Sequence, residues 1–246
     1  VRFLWPFLNA LQLAFTAVWT AGCISFAGVV YLLSRSRRIA LELARHLWAP
    51  GLLLFAGARL RVRGRDGAIP ELPAGPCLFV ANHQSVIDIC VLFRGLPRPV
   101  RFVAKQELRR LPFVGWYIGV MGMAFVDRRT RGGLGMVEAM GRLLESGSDV
   151  ILFPEGTRSR DGSIGAFKPG GFQAAVERQA PVVPIAIRGA GAVLPPGGFR
   201  VRPGPIEVVV GEPIVTAPGI DRQQLAREAE AAVRGLFGEP PAPAAR

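Results

Sequence analysis

The chain has 246 residues, half of them hydrophobic, and a mean hydropathy of +0.32. That length suffices for one domain with a sizeable core plus an appendage. A formal net charge of +12 calls for anionic partners; nucleic acid is set aside because no segment shows a basic stripe with interleaved aromatics, and the apolar content points to a bilayer.

At the amino end no residue from Phe3 to Leu33 carries a charge, and Ser34-Arg35-Ser36-Arg37-Arg38 follows. A membrane-crossing helix needs about 20 apolar residues. The apolar core of a signal peptide is only about 7–15 residues long, so the run predicts a membrane helix. Thr20-Ala21-Gly22-Cys23 has the form of a lipoprotein cleavage box but lacks its large aliphatic residue at Thr20. The arginines place the carboxyl side of the helix in the cytoplasm, which predicts the cell inner (cytoplasmic) membrane. A second apolar stretch, 47–60, is interrupted by Pro50, Gly51 and Gly57. It is too short to span and reads, with the amphipathic run 39–48, as an interfacial or re-entrant segment. Residues 1–58 are thus predicted to anchor the chain.

Residues 59–237 read as one α/β domain. Candidate strands are 59–63, 77–81, 101–104, 123–126, 150–153, 182–187 and 206–210, with helical patterns at 134–145, 171–179 and 221–237. The alternation predicts a mostly parallel or mixed sheet with helices on both faces. The Pro- and Ala-rich residues 238–246 read as a disordered tail.

The chemistry begins where strand 77–81 runs into Asn82-His83-Gln84-Ser85-Val86-Ile87-Asp88. Imidazole suits proton transfer near neutrality, and a carboxylate within reach fixes its tautomer. Residues five apart in a continuous helix are rotated by about 140° and share no face, so the pair has to straddle a strand end and a helix start. Such turns are where open α/β sheets bind ligands. Taken alone, H-x4-D is equally a surface histidine and a capping aspartate. Ser85 has two readings, nucleophile or helix cap; capping accounts for it.

Further strand ends carry cations. Phe125-Val126-Asp127-Arg128-Arg129 ends one strand, and Phe153-Pro154-Glu155-Gly156-Thr157-Arg158-Ser159 follows another. A glycine-bearing loop with an arginine offers backbone N–H groups and a guanidinium fork to a phosphate. Val182-Val183-Pro184-Ile185-Ala186-Ile187 closes the series. Only two of the thirty basic residues are lysines, Lys105 and Lys168; each lies beside one of these blocks, and a compact ammonium is not interchangeable with a guanidinium.

In this order, over about residues 77–190, the blocks resemble the glycerolipid acyltransferases, specifically the 1-acyl-glycerol-3-phosphate acyltransferase type. The resemblance implies transfer of an acyl group from acyl-CoA or acyl carrier protein to the sn-2 hydroxyl of lysophosphatidic acid, giving phosphatidic acid. It implies an amino-terminal membrane motif among membrane lipids and a substrate-binding role for Lys105. His83 is then the base and Asp88 its partner. Arg158, with Gly156 and Thr157 shaping its loop, binds the acceptor phosphate, helped by Lys105, Arg128 and Lys168. Glu155 either joins that binding set or orients its cations. No cofactor is needed, because a thioester is already activated. No metal is expected either: Cys23, Cys77 and Cys90 have no metal-ligand spacing and read as buried free thiols in a reducing compartment. No nucleophile elbow, Walker loop or dinucleotide glycine pattern is present. Two alternatives stand beside this reading: another acceptor (glycerol 3-phosphate, a lysophospholipid or a lyso-aminolipid), and a catalytically silent lipid-binding membrane protein.

Overall fold

A computed structural model describes residues 5–126 and 134–238. The uncharged amino-terminal run forms one helix, α1 (Trp5–Ser34), long and apolar enough to cross a membrane. Ser36 caps the next helix, accepting from the Ile39 N–H. That helix runs as α2 (Arg37–Leu43), a π-helical turn (Ala44–Trp48) and α3 (Ala49–Phe55). The π turn stands just ahead of Pro50, which has no N–H for the carbonyl of His46, so the regular ladder cannot run through.

α1 lies against this second helix. The Trp19 indole N–H donates to the Trp48 carbonyl and the Trp48 indole N–H to the Thr20 hydroxyl, both at 3.1 Å. Phe15 stacks on Phe55. A Cβ on Gly51 would stand 2.5 Å from the Trp19 ring, so only glycine permits this approach. The helices also enter the main core: Ala27, Ala40, Leu41 and Leu53 share one buried cluster with Phe79, Val91 and Ile185. Within residues 1–58, the segment expected to anchor the chain, α1 buries only Ile24, Ala27 and Gly28, whereas α2 and α3 bury small and aliphatic side chains against the domain.

The domain is built on seven strands: β1 (Ala58–Gly64), β2 (Leu78–Ala81), β3 (Val100–Lys105), β4 (Ala124–Val126), β5 (Asp149–Leu152), β6 (Val182–Arg188) and β7 (Gly204–Val210). They form one mixed sheet in the order β1-β7-β6-β2-β5-β3-β4, with only β6–β7 antiparallel. β2 is buried along its whole length, as expected of a parallel strand covered on both faces. Phe79 and Ala81 face the cluster built with α1–α3 and α4 (Asp88–Gly95). Leu78 and Val80 face the opposite cluster with α6 (Leu134–Glu145) and α9 (Arg222–Phe237). The two-residue strand period thus puts helices on both faces, as predicted.

Short helices complete the frame: α5 (Val114–Val120), α7 (Gln173–Arg178) and α8 (Ala190–Val193). The predicted helix 171–179 is split, a 3-10 turn (Pro169–Phe172) preceding α7. A Cβ on Gly171 would meet the Leu152 side chain at 2.8 Å, so the turn sits tight against β5. α9 starts as predicted, with the Asp221 carboxylate accepting from the Gln223 and Gln224 N–H groups. Because β6, β2, β5, β3 and β4 run parallel, their carboxyl ends share one edge, and the blocks that follow β2 and β5 lie there.

Phe79 is fully buried in the strand that carries His83. Phe79→Ala is expected to cost about 3–5 kcal/mol of stability, read as a lowered denaturation midpoint in detergent with an unchanged slope.

Candidate active site

β2 ends at Ala81, and the next residue ties it to β6: the Asn82 side chain donates to the Ile187 carbonyl and accepts from the Ile187 N–H. The chain then turns, and α4 begins at Asp88. Ser85, expected as the cap, lies three residues before the helix. Its hydroxyl accepts from the Ile87 N–H and donates to the Leu194 carbonyl at 2.6 Å. That position gives it a local turn to hold.

Asp88 is fully buried, and one carboxylate oxygen is the acceptor for the whole turn. Oδ2 lies 2.8 Å from His83 Nδ1 and accepts from the Gln84 N–H at 2.7 Å and the Ser85 N–H at 2.8 Å. These bonds fix the carboxylate in the turn and aim it at the ring. With Nδ1 facing Asp88, Nε2 is the ring nitrogen with no hydrogen-bond partner among the described residues. The imidazole is held flat against Phe153, with centroids 4.1 Å apart and 19° between planes. The geometry is that of a positioned base.

The loop after β5 fixes the backbone of the same histidine. Glu155 Oε1 accepts from the His83 N–H at 2.8 Å, and Oε2 from the Gly165 N–H at 2.9 Å. The His83 carbonyl accepts from the Ser159 N–H at 2.8 Å. Burial pushes the Glu155 carboxyl above its ordinary value, and the two backbone N–H bonds oppose that rise. Glu155 was expected to bind substrate or to orient the cations; both its oxygens accept from backbone N–H groups, which suits a residue that positions the loop.

Lys168 is the cation beside this brace. Gly156 has φ +73°, and a Cβ there would stand 3.0 Å from Lys168 Nζ. The ammonium therefore lies over the glycine, and the Lys168 N–H donates to the Pro154 carbonyl. Thr157 and Arg158 are exposed on the same loop, and no described carboxylate pairs with Arg158. Lys105 is exposed at the carboxyl end of β3, two strands from β2, with no described bond to the cluster. Arg128 lies outside the described residues. Sequence reading gave no role to Phe153 or Ser159, although both stand inside the quoted block, and nothing signalled Gly165.

On its other side α4 borders an apolar cavity of about 290 Å³. Ile24 of α1, Trp48, Ile89, Cys90 and Phe93 of α4, and Tyr117 of α5 line it. Burial pushes the Cys90 thiol up to about 12. Asp88 and the cavity wall thus belong to one helix. Among the described residues no group of three or more His, Cys, Asp or Glu side chains is placed to hold a metal ion.

A family model described as Acyltransferase matches residues 59–188. The chain belongs to this acyltransferase family. It is 34% identical to a 1-acyl-sn-glycerol-3-phosphate acyltransferase of Chlamydomonas reinhardtii, over 94% of this chain and 67% of that protein. It is 32% identical to a lyso-ornithine lipid O-acyltransferase of Pseudomonas aeruginosa, over 78% of this chain and 77% of that one. The crystal structure of the 1-acyl-sn-glycerophosphate (LPA) acyltransferase PlsC from Thermotoga maritima superposes with a TM-score of 0.81 at 27% identity, covering 96% of each chain. Other curated relatives are longer, and the chain spans 47–63% of their length.

For an acyltransferase the brace has a measurable consequence. Glu155→Gln would turn an amide NH₂ toward one of two N–H donors, and an unsatisfied buried donor costs about 1–3 kcal/mol. The expected result is a fall in kcat of about tenfold or more, with acceptor KM little changed. A rise in KM matching the fall in kcat would make Glu155 a substrate contact instead.

Proposed function

We propose that this acyltransferase moves a fatty acyl group from a thioester donor to the sn-2 hydroxyl of a 1-acyl-glycerol 3-phosphate, forming phosphatidic acid. The observation that carries this reading is the position of the His83–Asp88 pair. It stands between a loop bearing Arg158 and Lys168 and the apolar cavity lined by α4. A substrate that unites a phosphate, a hydroxyl and a hydrocarbon chain matches those three environments.

His83 Nε2 takes the proton of the acceptor hydroxyl as its oxygen attacks the thioester carbonyl. The new C–O bond forms, the C–S bond breaks, and the proton passes to the departing sulfur. Asp88 stabilises the imidazolium in between, which a positioned acid–base group converts into about 10²–10⁴-fold in rate. Arg158 and Lys168 hold the acceptor phosphate, Gly156 and Thr157 shape their loop, and Lys105 and Arg128 are the further candidates for that role. An acyl-CoA or acyl carrier protein thioester is activated already, so this chemistry calls on no cofactor. The apolar cavity takes an acyl chain.

α1 belongs in the membrane. Its outward face exposes Phe7, Leu11, Val18, Phe26, Val29 and Leu33. Arg35, Arg37 and Arg38 follow it, exposed, and such a cluster favours a domain on the cytoplasmic side of the inner membrane. A lyso-ornithine lipid, the acceptor named for the Pseudomonas relative, is the second reading.

The test is thiol release from palmitoyl-CoA by membranes containing the protein, with lysophosphatidic acid as acceptor. Release that needs both the acceptor and His83, lost in His83→Ala with the fold retained, is the expected outcome. Release that persists in His83→Ala would remove the base assignment. Arg158→Ala is expected to lower kcat/KM for lysophosphatidic acid by about tenfold or more, as a lost charged hydrogen bond does, and to leave donor KM unchanged. A higher rate with a lyso-ornithine lipid than with lysophosphatidic acid would select the second reading.

A further inference from the structure

Beyond the carboxyl end of β3 the chain makes a 3-10 turn (Gln106–Arg110), then Leu111, Pro112 and Phe113, then α5. Its apolar side chains point outward: Leu111 is 49% exposed, Phe113 51% and Trp116 47%. Phe113 has φ +61° and ψ −54°, and the Val114 N–H donates to the Pro112 carbonyl at 2.6 Å. This is a γ-turn of the rare, strained hand, unusual for a bulky residue. Phe113 belongs to none of the buried clusters, so packing within the chain does not repay that conformation.

The segment is continuous with the apolar surface of α1. The Trp116 ring crosses α1 at Gly28, where a Cβ would stand 2.0 Å from the indole. Arg37 Nε donates to the Val120 carbonyl, which ties the start of α2 to the end of α5. Beside the Gly28 contact, Val29, Leu32 and Leu33 are exposed. Arg109 and Arg110 are exposed before the turn, and no described carboxylate pairs with either. Apolar and aromatic side chains beside unpaired arginines are the composition of a surface that settles at a lipid headgroup boundary.

We propose that residues 109–116 form a second membrane contact, made by the catalytic domain itself. Leu111, Phe113 and Trp116 enter the lipids of an anionic membrane surface, and Arg109 and Arg110 meet its headgroups. The inference rests on the membrane placement of α1 given above and is independent of the acyl acceptor. Because the segment follows the carboxyl end of β3, it turns the sheet edge that carries His83 toward the lipid.

The full chain, with Cys23→Ser and Phe113→Cys carrying an environment-sensitive fluorophore, is reconstituted into vesicles of phosphatidylcholine and phosphatidylglycerol. Lipids with a nitroxide high on the acyl chain are expected to quench this label. They are expected to spare one on Val215→Cys, an exposed site beside the amino end of β6. Quenching at neither site, or equally at both, overturns the proposal. Leu111→Asp with Phe113→Gly is expected to cut turnover on vesicle-borne acceptor by about tenfold or more, the effect of losing ~1.4 kcal/mol of apolar burial. Turnover on detergent-dissolved acceptor should stay level, and an equal fall in both assays counts against a membrane role. Arg109→Gln and Arg110→Gln should each reduce the gain from phosphatidylglycerol by about fivefold. The label reports without turnover, so absent thiol release would defeat the acyl-transfer reading and leave this test intact.

Discussion

Glu155 is buried, and burial disfavours its charged form; the N–H groups of His83 and Gly165 stabilise it there. That one carboxylate joins the end of β2 to the loop after β5. The Ser159–His83 bond closes the same bridge from the other side. With both backbone groups of His83 engaged, its side chain has little freedom left. Phe153 restricts the ring plane and Asp88 the ring direction. Asp88 is itself held by the N–H groups of the turn it closes. His83 is thus held at its backbone, its ring face and its Nδ1 at once, which is how a site keeps close positions without a rigid covalent link.

The sheet organises what this small cluster needs around it. Parallel pairing of β2, β5 and β3 brings residues distant in sequence to one edge, and β7, antiparallel to β6, carries the edge strand β1 on the far side. α4 then divides two chemical worlds. Its first residue is a carboxylate in a polar turn, and its next turns wall an apolar cavity. A lipid reaction needs that juxtaposition of charge and hydrocarbon within one side chain's reach.

The seven described strands were readable in the sequence: the central ones are short apolar runs bounded by turn residues, and β1 alternates arginine with apolar residues. α6 was readable to the residue, since its apolar positions keep helical spacing. α5 was not: Gly115 and Gly119 weaken its helical signal, and Trp116 and Val120 break its apolar periodicity. The union of α1–α3 with the core was also hidden, because a run that is apolar all round looks the same whether lipid or protein covers it. His83 and Asp88 were visible as a pair, and Lys168 stood out only as one of two lysines. The work of Glu155 was invisible, since a carboxylate that binds main-chain N–H groups leaves no pattern in side-chain spacing.

Cys90 shows what the cavity wall rules out. With burial pushing its thiol up to about 12, almost none of it is thiolate at neutral pH. An activated ester would pass this sulfur without exchanging onto it, since only the thiolate is nucleophilic enough. Alkylating reagents and peroxide meet the same barrier. The dry surroundings thus keep a sulfur on the cavity wall inert.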